Sequence, residues 1–200
     1  MPRCRSSRWP FGRYTDVCLG WYLGPGRIWA RVLDDGDRVA GYVLVCPDEE
    51  RHRRWVRPRA VSFAVVAVVA ASVRHPCDPA SMLVRLRIRD GWARRHAPSP
   101  MSVHAHMNLD RSVRGTRAAL MLVDHVDDVC RSLGAVGWYG EVNARVGRRA
   151  TALERLVGPV VDRTPNRTAS WLVGKPVERL TVVRPVAVVS PPSAAAEAVA

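Results

Sequence analysis

Lysine is almost missing from this chain. Of its 31 basic residues only Lys175 is a lysine, and the arginines are spread along the sequence instead of gathered in one tract. The net charge of +13 therefore reads mainly as solvated surface, with a subset of arginines free to serve phosphates. Cysteine is scarce as well: five residues (4, 18, 46, 77 and 130), an odd count, with no Cys-x-x-Cys pair and no histidine at zinc-finger spacing. That excludes a disulfide framework and argues against a structural metal, so the thiols read as free in a reducing cytoplasm. No internal repeat recurs at a solenoid period. The basic N-terminus (Arg3, Arg5, Arg8, Arg13) lacks the apolar core of a secretory signal. Ala60–Val73 carries no charge over fourteen residues. As a helix it would extend about 21 Å against the roughly 30 Å of a bilayer core. It reads as a buried helix, and no membrane partner is expected. The absence of a helix-turn-helix, a zinc finger or an aromatic RNA-binding stretch argues against nucleic acid as a partner.

What is present describes a globular chain. Of its 200 residues 48% are apolar and 24% charged, enough for one domain with a real core, or one domain carrying an insertion. Residues 1–13 read as a flexible basic arm, 14–188 as a single domain and 189–200 as a disordered, alanine-rich tail. Tyr14–Leu23 suits a short helix ended by Gly24-Pro25-Gly26. Ile28–Leu33 and Arg38–Cys46 are the clearest strands, joined by Asp34-Asp35-Gly36-Asp37 with its Asp-Gly hairpin signal.

Residues 47–97 read as a helical insertion. Pro47-Asp48 can start a helix, which Arg57-Pro58 breaks or restarts. Asp78-Pro79 caps a further helix to about Arg94, with Val84, Ile88 and Trp92 at four-residue steps. The insertion packs on the sheet, forms a wall of a cleft or makes a homodimer contact. Beyond the centre of the chain, Gly147–Leu156 suits a helix, Pro159–Asp162 and Ser170–Val173 suit strands, and Val177–Val186 suits a final strand.

The centre is His104–Asn143. Residues 104–109 alternate, with Ala105, Met107 and Leu109 on one strand face and His104, His106 and Asn108 on the other. After the basic turn at Arg111–Thr116, Leu122, Val126, Val129 and Leu133 recur at helical steps. Asp124, Asp127, Asp128 and Arg131 take the polar side, and Gly134 stops the helix. Trp138–Val142 reads as the next strand. A turn of this kind aims backbone N–H groups at whatever lies above the helix N-terminus, which makes an anion site.

Leu109-Asp-Arg-Ser-Val-Arg114-Gly115-Thr116-Arg117-Ala118-Ala119 resembles the acyl-CoA pyrophosphate loop of the GNAT superfamily of N-acyltransferases. The family's pattern is Gln/Arg-x-x-Gly-x-Gly/Ala. Arg114 matches its first position and Ala119 its last, while Arg117 stands at the middle glycine. Glu141-Val-Asn143, Ala150 and Leu153-Glu-Arg-Leu-Val look like the family's next strand and helix, with Leu153 where a tyrosine is usual. The resemblance covers roughly residues 28–46 and 100–186.

It implies an α/β (α+β) fold: a mixed, mostly antiparallel twisted sheet flanked by helices, with the insertion between the family's third and fourth strands. The strands at 28–33 and 38–46 become its second and third, and its first has no counterpart here. It also implies that acetyl-CoA lies where the fourth and fifth strands splay. Its pantetheine would pair with backbone of Met107, Asn108 and Leu109, and its pyrophosphate would rest on N–H groups of Arg114, Gly115, Thr116, Arg117, Ala118 and Ala119. Asn143 would bond the cofactor or fix the splay. Arg111, Arg145, Arg148 and Arg149 are either contacts to the 3′-phosphate or ordinary surface.

The implied reaction is direct attack of a primary amine on the thioester in a ternary complex, with no metal. It needs a base, for which His106, His104 and Glu141 are the candidates. Leu153 cannot protonate the departing thiolate. The alternative is a catalytically weak, degenerate GNAT fold that binds nucleic acid or protein.

Overall fold

The computed structural model describes residues 11–72, 78–94, 101–113, 116–147 and 150–187. The first ten residues of the proposed arm, the proposed tail, and Arg114, Gly115, Arg148 and Arg149 lie outside them.

Six strands form one sheet in the order β1-β2-β3-β4-β6-β5. They are β1 (Arg31–Asp34), β2 (Val39–Cys46), β3 (Val103–Leu109), β4 (Gly137–Arg145), β5 (Val160–Pro165) and β6 (Val177–Pro185). Every neighbouring pair is antiparallel except β3 and β4, which run parallel. Parallel neighbours need a crossover, and α4 (Thr116–Leu133) supplies it. The other helices are α1 (Phe11–Leu23), α2 (Glu49–Ser72), α3 (Pro79–Arg94), α5 (Ala150–Leu156) and α6 (Arg167–Val173). This is the mixed, mostly antiparallel architecture that the sequence resemblance implies.

Strand alternation sorts the core into two layers. Val43, Val45, Val103, Ala105 and Trp138 face α4, where Leu122, Val126 and Val129 meet them, and Leu153 and Leu156 of α5 pack beside them. On the opposite face Leu44 and Cys46 pack with Trp21 and Tyr22 of α1 and with Trp55 of α2. Dense packing raises the Cys46 thiol to about 12, so it is an inert core group. The Asp34–Asp37 loop turns as expected: the Gly36 N–H donates to Asp34 Oδ1 at 2.9 Å, with Gly36 at φ 96°. Gly134, at φ 63°, ends α4 in the left-handed conformation that glycine adopts without strain.

Several expectations need correction. Helix α1 begins at Phe11, three residues inside the segment read as an arm. Ile28 and Trp29 belong to a 3-10 turn, and β1 starts only at Arg31. Pro58 lies inside a continuous α2, neither breaking nor restarting it. The apolar half of α2 is not a buried helix. Ala67 is buried, while Val61, Val65, Val68 and Val69 are 45–60% exposed. A uniformly apolar run has no stripe to say which side faces inward, so packing alone decides. Residues 170–173 are not a strand but the end of α6, whose start is capped by Asn166. The Asn166 side chain accepts from the Ala169 N–H at 2.8 Å, a helix-start signal that outweighs local β-propensity. Asp127, placed on the polar side of α4, is buried, and Leu133, placed on its apolar side, is 43% exposed.

Candidate functional site

The parallel contact between β3 and β4 is short. Val103, His104 and Ala105 stand opposite Trp138, Tyr139 and Gly140, and the register ends there. Both strands continue, each with its other neighbour. β3 stays paired to β2 as far as Leu109↔Gly41, and β4 stays paired to β6 as far as Arg145↔Val177. Residues 106–109 and 141–145 are therefore the two lips of a gap in the sheet. Gly140 lies at the point of divergence. A Cβ there would sit 3.2 Å from the Ala105 carbonyl oxygen, so glycine permits the close approach from which the strands separate.

The face of this gap opposite α4 carries the titratable groups. His104 stacks on Tyr139 with ring centroids 4.7 Å apart. Tyr139 therefore lies on the histidine face, while its neighbour Trp138 fills the α4 core. His106, one pleat further along β3, lies 6.1 Å from the ring of Tyr42 on β2. Partial loss of water around its imidazole lowers its pKa, and the Glu141 carboxylate across the gap pulls it back up. Glu141 in turn faces Arg179 of β6, with Nε and Oε2 3.6 Å apart. Asn143 accepts a 2.8 Å hydrogen bond from Asn166 Nδ2, which ties the β4 lip to the start of α6.

The structure thus brings together His104, His106, Glu141 and Asn143 around one gap. Asn108 is exposed on the same face, whereas Met107 and Leu109 turn their side chains toward the α4 core and offer the gap only backbone. At the head of the crossover, Asp110 accepts from the Ser112 N–H at 2.9 Å, and Arg38 donates to Ser112 Oγ at 2.8 Å. Thr116 opens α4, Arg117 is exposed in its first turn, and Ala118 and Ala119 are half-buried behind it. That turn contains no acidic residue, so nothing in it opposes an anion. Leu153 packs into the core and presents no donor.

Arg179 and Asp90 are absent from the candidates that the sequence offers, although both are buried beside this site. Asp90 accepts from the backbone N–H groups of Arg167 and Thr168 at 3.1 and 2.9 Å, fastening α3 to the first turn of α6. Arginine on an alternating strand and aspartate on an arginine-rich helix both read as surface, and only the tertiary arrangement shows otherwise. Among the described residues no cluster of three or more histidines, cysteines and carboxylates could hold a metal ion, and no helix is long and apolar enough to cross a membrane.

No family model and no curated protein matches the chain. Among solved structures, the crystal structure of SsHAT is similar in fold, with a TM-score of 0.56 and 19% sequence identity over 88% of this chain and 82% of that chain. A likeness at this identity speaks to architecture. The six-stranded sheet, its single parallel pair and its flanking helices give the chain a GNAT-like mixed α/β fold.

Proposed function

We propose that this protein is an N-acyltransferase of GNAT type that moves an acetyl group from acetyl-CoA to a primary amine. The observation that carries this reading is the divergence of β3 and β4 beyond Ala105 and Gly140, with His106 on one lip of the gap and Glu141 on the other. An open strand edge accepts an extended, amide-bearing chain by backbone pairing, and the edge of Met107–Leu109 that faces away from β2 suits pantetheine. The start of α4, from Thr116 to Ala119, suits the pyrophosphate through its N–H groups and dipole. Arg114 and Gly115 complete that loop in the sequence pattern.

In the reaction the amine nitrogen attacks the thioester carbonyl carbon, the C–S bond breaks and CoA leaves as the thiolate. The nucleophile must be the free amine, so a proton has to leave the ammonium first. His106 is suited to take it, because a lowered pKa leaves its imidazole neutral at physiological pH. Glu141 stabilises the imidazolium that results, and His104 is the second acceptor on the same face. Tyr42 and Tyr139 carry hydroxyls on that face, and either can relay a proton to the thiolate through water.

The test is a melting curve with micromolar acetyl-CoA, read beside binding of a DNA duplex at two salt concentrations. A ligand that binds only the folded state raises the melting temperature. The expected result is a clear rise with acetyl-CoA and weak duplex binding at physiological salt. No rise, together with tight duplex binding that falls steeply with salt, would replace this reading with that of a nucleic-acid-binding module.

A further inference from the structure

We infer that Asn166, the cap of α6, is a positioning residue for the cleft: it holds the Asn143 carboxamide in one orientation, so that the β4 lip offers a ligand N–H donors and not a carbonyl. The group that lies against Asn143 is then a hydrogen-bond acceptor, an amide carbonyl of an extended chain. Identifying that chain as the pantetheine of acetyl-CoA rests on the acyltransferase reading above, but the orientation itself does not.

Asn166 is firmly held. It is 6% exposed, and its backbone N–H donates to the Val177 carbonyl at 2.9 Å. Its own carbonyl accepts from the Ser170 N–H at 2.9 Å and from the Ser170 hydroxyl at 2.7 Å. The two contacts of its side chain then order one another. A backbone N–H can only donate, so the Asn166 atom 2.8 Å from the Ala169 N–H is the oxygen. The other terminal atom of that carboxamide is nitrogen, which also can only donate, and it lies 2.8 Å from the Asn143 side chain. The Asn143 atom that receives it must again be oxygen. One main-chain donor thus assigns both carboxamides.

The start of α6 is bonded to β6, which lies on the side of β4 away from β3. Asn143 Oδ1 is turned to that side. The two branches of a planar carboxamide diverge from one carbon, which leaves Nδ2 on the branch toward the gap. Asn143 is exposed, and among the described residues its Nδ2 has no partner. Three residues beyond the last parallel pair, Ala105 and Gly140, stand Asn108 on β3 and Asn143 on β4. The donors are therefore level with the Met107–Leu109 backbone, where an extended amide chain would pair, and beyond the point where His106 and Glu141 stand. They serve binding and not the chemical step.

Asparagine, aspartate and serine cap a helix about equally well, but they treat Asn143 differently. An aspartate at 166 would still accept from Ala169, while its second oxygen could only accept. Asn143 would then turn its N–H groups to α6 and set a carbonyl oxygen against the ligand's own. A serine would cap α6 without reaching Asn143, whose carboxamide would be free to rotate.

The experiment measures acetyl-CoA affinity by calorimetry, with steady-state kinetics, in the full chain and in Asn166→Asp, Asn166→Ser, Asn143→Ala and the two corresponding double variants. NMR follows solvent exchange of the Asn143 side-chain amide protons. Affinity should fall about tenfold in Asn166→Asp and about threefold in Asn166→Ser, the range for one neutral hydrogen bond. KM for acetyl-CoA should rise by the same factors while kcat holds, with melting temperatures close to the parent's. In the Asn143→Ala background neither change at 166 should cost further affinity. The Asn143 amide protons should exchange freely in the parent and become protected in Asn166→Asp. If Asn166→Asp does not fold, Asn166→Ser in the two backgrounds decides alone. Unchanged affinity in the Asn166 variants, an equal loss with Asn143 already removed, or exchange that stays as in the parent in Asn166→Asp overturns the inference. A parent protein that does not bind acetyl-CoA would instead remove the acyltransferase reading and pantetheine with it, while the exchange measurement still decides whether Asn166 orients Asn143.

Discussion

Arg184 on β6 grips Asp127 on α4 through both carboxylate oxygens, with its Nε 3.0 Å from Oδ1 and 2.9 Å from Oδ2. Trp138 Nε1 donates to the same Oδ1 at 2.8 Å, and Arg184 Nη1 donates to the Val157 carbonyl at 3.1 Å. One buried carboxylate thereby ties the crossover helix to β4 and β6, the strands that carry one lip of the cleft. Asp127→Ala would leave a guanidinium and an indole N–H without their acceptor. It should destabilise the protein by about 3–5 kcal/mol in denaturant unfolding. Asp124→Ala, exposed on the same helix, should change stability by no more than about 0.5 kcal/mol. Equal effects would mean that the buried pair contributes nothing specific.

His106→Ala should lower kcat/KM for the amine about 10²-fold, the low end for loss of a general base. Acetyl-CoA affinity should hold, because Met107–Leu109 offers the gap backbone and not the imidazole. Intact turnover in this variant, with activity abolished by Glu141→Gln, would make Glu141 the base.

Arg117→Gly should keep or improve acetyl-CoA affinity, measured by calorimetry. The substitution restores the glycine usual at that position and removes an exposed side chain from the first turn of α4. A large loss of binding would show the guanidinium itself to be a phosphate ligand.

Acid should destabilise the fold through histidines that folding partly withdraws from water. His52 packs edge-on against Trp21 with centroids 5.3 Å apart, and burial lowers its pKa. Above about pH 6.5 it is neutral in both folded and unfolded chains and adds no pH dependence. As pH falls through that value the unfolded chain binds the proton first, so stability drops until the lower folded pKa is passed. His106 and His125 are lowered in the same sense and add to the slope. The melting temperature should therefore fall between about pH 7.5 and about pH 5. The fall should be shallower in His52→Gln. An unchanged slope in that variant would mean that His52 titrates alike in both states.

The local elements were legible because local physics decides them. Alternation at 104–109 put His104 and His106 on one face before any partner strand was known. The four-and-three spacing of Leu122, Val126 and Val129 marked the buried side of α4, and Asp-Gly marked the β1–β2 turn. The motif at Arg114–Ala119 and the order of strand, turn, helix and strand carried the fold.

What the chain alone could not decide is which groups meet across long separations. Asp127 and Arg184 are 57 positions apart, and each looks like a surface charge until the sheet closes. Asp90 looks the same until α3 docks on α6 and the N–H groups of Arg167 and Thr168 reach it. Residues 167–173 form a helix because Asn166 caps it and Asp90 receives its first N–H groups, a tertiary contact that no local β-propensity can foresee. Periodicity orients a side chain relative to its own backbone, but the partner that compensates a buried charge is chosen only when the elements pack.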